Sequence, residues 1–157
     1  MPVIKINTLI NAPINVVFNL SRSIDLHKIS TAHTNEEAVA GKTTGLIELG
    51  ESVTWRAKHL GITQMLTSTI TDFNAPYYFV DEMVQGAFKS FKHEHIFKEE
   101  NGWVIMTDIF DYKSPYGVLG KIIDELFLKN YMHNLLETRN HTVKEFAEDE
   151  AKYRLVL

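Results

Sequence analysis

A chain of 157 residues, 45% of them hydrophobic and 11% aromatic, can bury one substantial core, and its length asks for no second domain. Its 16 basic and 20 acidic residues give a net charge of −4 and are spread along the chain, so no basic stripe offers a grip to a nucleic-acid backbone or an anionic membrane. The lack of cysteine excludes disulfides, thiolate metal sites and a thiol nucleophile.

The first residues, MPVIKINTLI, lack the long apolar core of a signal peptide, and no apolar run approaches the ~20 residues of a membrane span. The expectation is a soluble, cytoplasmic, single domain over residues 1–157. Val3 to Ile10, rich in branched residues and ending at Asn11-Ala12-Pro13, predicts a strand followed by a helix with proline in its first turn. From Ile14 to about Ile29 the apolar spacing predicts two short helices broken near Ser21 to Ser23, with Ser21, Ser23 and Asp25 as caps rather than nucleophile and partner.

Between Glu36 and Lys113 six strand-like runs follow one another: EEAVAG, GESVTWRAKH, ITQMLTSTITDF, YYFVDEMVQ, FKSFKHEHIFK and WVIMTDIFDY. Leu60-Gly61, Asn74-Ala75-Pro76, Gly86 and Asn101-Gly102 punctuate them, which makes neighbours antiparallel hairpin partners. After Ser114-Pro115 the chain turns helical almost to its end. There Leu119, Ile122, Ile123, Leu126 and Phe127 lie on one face and Met132, Leu135, Leu136, Val143 and Phe146 nearly opposite. Either the helix breaks near Leu128 to Asn130, its first piece covering a cavity mouth, or it continues and its first face packs elsewhere. An antiparallel sheet apolar on one face needs a cover, and this helix alone is long enough to supply it.

The order of elements, with SRSIDLH (21–27), GLIELGESVTWRAKHLG (45–61), FVDEMVQGAFKSFKHEHIF (79–97) and YKSPYGVLGKIIDELFLKNYM (112–132), is similar to the bacterial ligand-binding branch of the SRPBCC superfamily, related to START domains, polyketide cyclases and the major birch-pollen allergen. The resemblance covers nearly the whole chain. It implies an α+β helix-grip fold, a curved antiparallel sheet of about seven strands wrapped on a long C-terminal helix, with two short helices after the first strand. It also implies a cavity between sheet and helix, but not what that cavity holds.

The residues themselves point to a polar cluster. On a strand, Phe91, His93, His95 and Phe97 share one side of FKHEHIF, opposite Lys92, Glu94 and Lys98. If Asn101-Gly102 forms a two-residue loop, Glu100 pairs with Trp103, and so Phe97 with Met106, His95 with Asp108, His93 with Phe110 and Phe91 with Tyr112; a four-residue loop would set His93 opposite Asp108 instead, on the same face. The Leu60-Gly61 turn pairs Trp55 with Leu66 and Ala57 with Gln64, with Val53, Trp55, Ala57 and His59 facing in. In YYFVDEMVQ either Val80, Glu82 and Val84 or Phe79, Asp81 and Met83 face in; the first set is preferred, which brings Glu82 to the histidines. Trp55, Leu66, Phe91, Phe97, Met106, Phe110 and Tyr112 would then line a cavity in which Glu82, His93, His95 and Asp108 orient a ligand.

Four readings of that cluster stand side by side. It orients the head of an apolar ligand, the usual composition of small-molecule pockets. It is a His and Asp acid-base pair of a cyclase- or dehydrase-like enzyme. It holds a metal, for which the spacing lacks a third histidine. Or it is a set of hydrogen-bonded core histidines. The reading adopted is a carrier or sensor of a lipid, isoprenoid or polyketide, without metal or cofactor, the alternatives being the enzyme and a regulatory protein-interaction module. His27, His33, His133 and His141 are expected at solvent edges or on helix surfaces, and Glu145 to Glu150 at a solvated helix end.

Overall fold

The computed structural model describes residues 2–123 and 127–157. Strand β1 (Val3–Ile10) is followed by helices α1 (Ile14–Ser21) and α2 (Ile24–Ser30) and a single 3-10 turn, Ala32–Thr34. Then come β2 (Glu37–Gly41), β3 (Ser52–His59), β4 (Ile62–Asn74), β5 (Tyr78–Gln85), β6 (Ser90–Glu100) and β7 (Trp103–Lys113), and after them α3 (Gly117–Ile123), α4 (Lys129–Ala147) and α5 (Glu150–Tyr153). The seven strands form one antiparallel sheet in the order β1-β7-β6-β5-β4-β3-β2. Since β1 pairs with β7 at one edge and β2 lies at the other, α1 and α2 carry the chain across from edge to edge. The fold is α+β, the helix grip, as the resemblance implied.

Two tight turns fix the register of the half that matters. Asn101 and Gly102 sit at φ 53° and 80°, and Leu60 and Gly61 at 53° and 79°. Positive φ at both central residues gives the loop the twist that matches two flanking strands, so each hairpin closes on two residues. Every pairing expected from those loops is present: Phe97 with Met106, His95 with Asp108, His93 with Phe110, Phe91 with Tyr112, Trp55 with Leu66 and Ala57 with Gln64.

Helices α1 and α2, eight and seven residues long, are too short to persist alone and hold by burial. Val17, Phe18, Leu20, Ile24 and Leu26 are all buried. Phe18 meets the rings of Phe73, Phe79 and Phe97 edge-on at 5.4 to 5.6 Å, contacts worth about 0.5 to 1.5 kcal/mol each beyond the area they cover. Ser23 caps α2 by accepting from the Leu26 amide, Asp25 accepts from the Thr44 hydroxyl and the Gly45 amide, and Ser21 donates to the Val17 carbonyl. A second apolar cluster, Ile4, Phe91, Phe110, Tyr112 and Leu136, lies under the other part of α4.

Helical conformation is continuous from Phe127 through Ala147, with Phe127 and Leu128 in a π turn, so no break falls at Leu128 to Asn130. The junction to α3, with Leu126, lies outside the described residues. The first apolar face is exposed at Leu119, Ile122 and Phe127, while Gly120 and Ile123 border the cavity.

Candidate functional site

Between sheet and α4 lies a cavity of about 630 Å³. Trp55, Leu66, Phe91, His93, His95 and Phe110 line it as expected. Phe97, Met106, Asp108 and Tyr112 have their side chains on the same sheet face but sit beneath the lining. Phe97 is covered by Phe18, Met106 receives the Ser21 hydroxyl, and Tyr112 packs among Phe88 and Phe110. These three pack rather than face the cavity.

Glu82 is not at the site. The β5–β6 register opposes Phe79 to His95 and Asp81 to His93, so Phe79 and Asp81 share the histidine face and Glu82 turns with Lys92 to the other. The alternation of β5 misleads because Phe79 and Val80 are both buried, at 3% and 1% exposure, so the strand is apolar on both sides at its start. Its pairing with β6, not its own pattern, sets the face.

Asp108 is the centre of the cluster. It is fully buried and accepts from His93 Nε2 at 2.9 Å and from Asn140 Nδ2 at 2.7 Å. Arg139 Nη1 lies 3.5 Å away and also donates to Asn140 Oδ1 at 3.1 Å, while Nη2 donates to the Ser21 carbonyl at 2.8 Å. His95 Nδ1 lies 3.0 Å from the oxygen that His93 uses, an ion-pair contact too bent for an aligned hydrogen bond. On its other side His95 Nε2 is 2.9 Å from Asp81 Oδ1, and Phe79 stacks on its ring.

Burial alone would raise the Asp108 pKa, but the hydrogen bond from His93 and the close contact with His95 outweigh it and hold the carboxyl well below the ordinary aspartate range. Asp81 is lowered in the same way, chiefly by His95 against its own burial. The histidines diverge. Burial, with the neighbouring His95 charge, pushes His93 down; in His95 burial is overcome by Asp108 and Asp81, and its pKa rises. The shifts favour ionised Asp81 and Asp108, a protonated His95 and a neutral His93, an arrangement in which Arg139 and His95 offset the two carboxylates. An ionised carboxylate only accepts, so the His93 proton sits on Nε2; its Nδ1, on a ring that lines the cavity, lies 3.8 Å from Asp81 Oδ1.

Asp81, His93 and His95 offer three ligating atoms within 4.8 Å of one another. The donor set suits a transition metal, but the proton shared between His95 and Asp81 occupies the closest approach. Arg139 and Asn140 had a readable signal: they fall on the α4 stripe of Leu136, Val143 and Ala147, polar residues at core positions. His27, expected at a solvent edge, instead borders the cavity and lies against Trp55 at 4.3 Å. His33 and His141 are exposed and His133 partly so. Among the described residues no helix is long and apolar enough to cross a membrane.

No family model matches the chain, and no curated protein matches it by sequence. Solved structures do. TTHA0849 from Thermus thermophilus superposes with a TM-score of 0.74 at 16% identity, over 92% of this chain and 95% of that one. The ginseng major latex-like protein 151 from Panax ginseng gives 0.69 at 13% identity, over 94% and 98%. StfQ, the di-domain ARO/CYC of the steffimycin biosynthetic pathway, gives 0.76 at 10% identity over 95% of this chain, which spans 51% of that protein's length. The chain shares the helix-grip fold of these structures.

Proposed function

We propose that the protein binds an amphipathic small molecule, of lipid, isoprenoid or polyketide type, whose polar head is held at His93 and whose body fills the space between sheet and α4. The observation that carries this reading is the placement of His93, bonded through Nε2 to the buried Asp108 and lining a cavity walled by Trp55, Leu66, Phe91 and Phe110. A fixed acceptor in an apolar wall selects a donor, so the head group is a hydroxyl, phenol or enol.

Organic extraction and mass spectrometry of freshly purified protein identify what it carries. His93→Gln then tests the role of the head site. Gln keeps size and hydrogen-bonding capacity, so folding should lose about 1 to 2 kcal/mol or less while affinity for the co-purifying ligand falls about tenfold. Large destabilisation with unchanged affinity would reduce FKHEHIF to a strand that packs.

One observation favours a second reading, catalysis. A buried neutral histidine whose tautomer is fixed by a carboxylate is the arrangement of a general base, and StfQ, of the same fold, is named as an ARO/CYC. Deuterium exchange of the carbon-bound protons of pentane-dione in heavy water, accelerated by the protein and not by His93→Gln, is the outcome that reading requires.

A further inference from the structure

The cavity has a second polar end. Glu36, just before β2, has a side chain only 8% exposed and accepts from His27 Nε2 at 2.8 Å. Burial would raise its pKa, but His27, with smaller help from His59 and the Thr31 hydroxyl, lowers it, so Glu36 is ionised. Across from it, His59 Nδ1 lies 2.7 Å from the Tyr131 hydroxyl. Burial, with Glu36 beside it, raises the tyrosine pKa, so the phenol keeps its proton. Burial lowers the His59 pKa against the pull of Glu36, which favours the neutral ring, and in the tautomer that accepts the phenol proton at Nδ1 its Nε2 carries the N–H. All four residues line the same cavity as His93.

The two ends are far apart. Tyr131 and Arg139 lie eight residues apart on α4, about 12 Å along a helix. His59 on β3 and the histidines on β6 lie three strand spacings apart in the sheet, roughly 14 Å. Between them the walls are mostly apolar: Trp55, Leu66, Phe91, Leu135 and Leu136.

We propose that Glu36, His59 and Tyr131 form a second ligand subsite that takes a hydroxyl, so that the ligand is an elongated apolar molecule with a hydroxyl-type group at each end. A hydroxyl both donates and accepts, and this end offers it a matched pair: a carboxylate with lone pairs to spare and an imidazole N–H. Glu36 repels a carboxylate or phosphate here. An alkyl end would leave a buried carboxylate unsolvated where it displaced water, which sets its affinity below that of the alcohol.

The proposal rests on the cavity being a ligand site, and the test separates the two. The probes are dodecan-1-ol and the α,ω-diol of dodecane, titrated into the Trp103→Phe protein so that Trp55, which abuts His27, reports alone. The diol is expected to bind roughly tenfold tighter than the mono-alcohol. Glu36→Gln and, separately, Tyr131→Phe should bring that ratio close to one, with thermal midpoints confirming that each variant is folded. Equal affinities in the unmutated site, or a preference that survives both substitutions, overturn the second subsite while leaving the cavity a binding site. If neither probe binds, the ligand-binding reading falls, and this inference with it.

Discussion

Asp108→Asn is the most informative single change in this molecule. In the native cluster one carboxylate oxygen serves His93 Nε2 at 2.9 Å, with His95 Nδ1 and Arg139 Nη1 at 3.0 and 3.5 Å, and the other accepts from Asn140 Nδ2 at 2.7 Å. An amide cannot serve both sides. If its oxygen faces the histidines, its NH2 meets the Asn140 NH2, donor against donor. Asn140 cannot turn over without losing the Arg139 bond to its Oδ1 at 3.1 Å. If the amide is reversed, its NH2 meets the imidazole N–H groups instead. The charge balance fails as well, since Arg139 and protonated His95 would be left with one anion, Asp81, in a dry site. Breaking a buried pair in this way costs about 3 to 5 kcal/mol, a large share of the roughly 5 to 15 kcal/mol that holds a domain of this kind. Urea unfolding of the single variant measures that loss. The double variant Asp108→Asn/Asn140→Asp returns the missing charge and reverses one donor–acceptor pair, so it should recover at least about 1 kcal/mol relative to additivity. A single-variant loss below about 1 kcal/mol, or a double variant no better than the sum of its parts, would refute the description of Asp108 as the charge that organises the cluster.

Trp55, buried on β3 at 6% exposure, should change its emission when an apolar probe enters, whereas Trp103, 38% exposed at its hairpin, should not; retention of the response in Trp55→Phe would remove Trp55 from the binding wall. The pH dependence of stability has opposite signs at the two histidines. His95, raised above its ordinary 6.5, contributes stability that is full below that value and lost as pH rises through its folded pKa, so His95→Gln should flatten the fall in urea midpoint as pH rises above 6.5. His93, lowered from 6.5, favours the fold above that value and opposes it below, so His93→Gln should gain on the parent protein as pH falls; matching slopes in the two variants would contradict the assignment of neutral and charged rings. Protein prepared without chelator should carry no stoichiometric zinc, iron or copper, because a proton on His95 and the Arg139 cation already balance the donor set; a metal lost in His93→Ala would reverse this.

What the sequence made legible was whatever depended on local rules. Asn101-Gly102 and Leu60-Gly61 favour two-residue loops, and a loop length fixes every pairing beyond it, so the histidines and Asp108 share a face by counting, and the two-residue loop then sets His95 opposite Asp108. The face of β5 does not. With Phe79 and Val80 both buried, the alternation carries no direction, and the register across to β6 is a tertiary choice. Hence Asp81, and not Glu82, joins the histidines. The contribution of α4 is half visible: Leu136 and Val143 mark its inward stripe, and Arg139 and Asn140 lie on that stripe, yet only docking on Asp108 gives two polar residues a reason to be there. His27 escapes a sequence reading because a short helix gives little periodicity; its neighbour is Trp55, from a strand far along the chain.

The long helix is held unevenly. From Arg139 onward α4 is tied to the rest of the molecule by Arg139 to the Ser21 carbonyl, Asn140 to Asp108, Lys144 Nζ to the Leu9 carbonyl, and Glu148 just beyond it to the Asn11 amide. Toward its start, Met132, Leu135 and Tyr131 face open volume, and Tyr131 to His59 is the polar contact that spans it. The polar ties of α4 to the body of the protein are thus gathered in its C-terminal half, beside the Asp108 cluster, while its first turns rest on apolar packing and on Tyr131. On the proposed reading one helix then meets both ends of the ligand, at Arg139 and at Tyr131, and substitutions at Met132 or Leu135, between them, change the room for the apolar body and leave the chemistry demanded at His93 as it was.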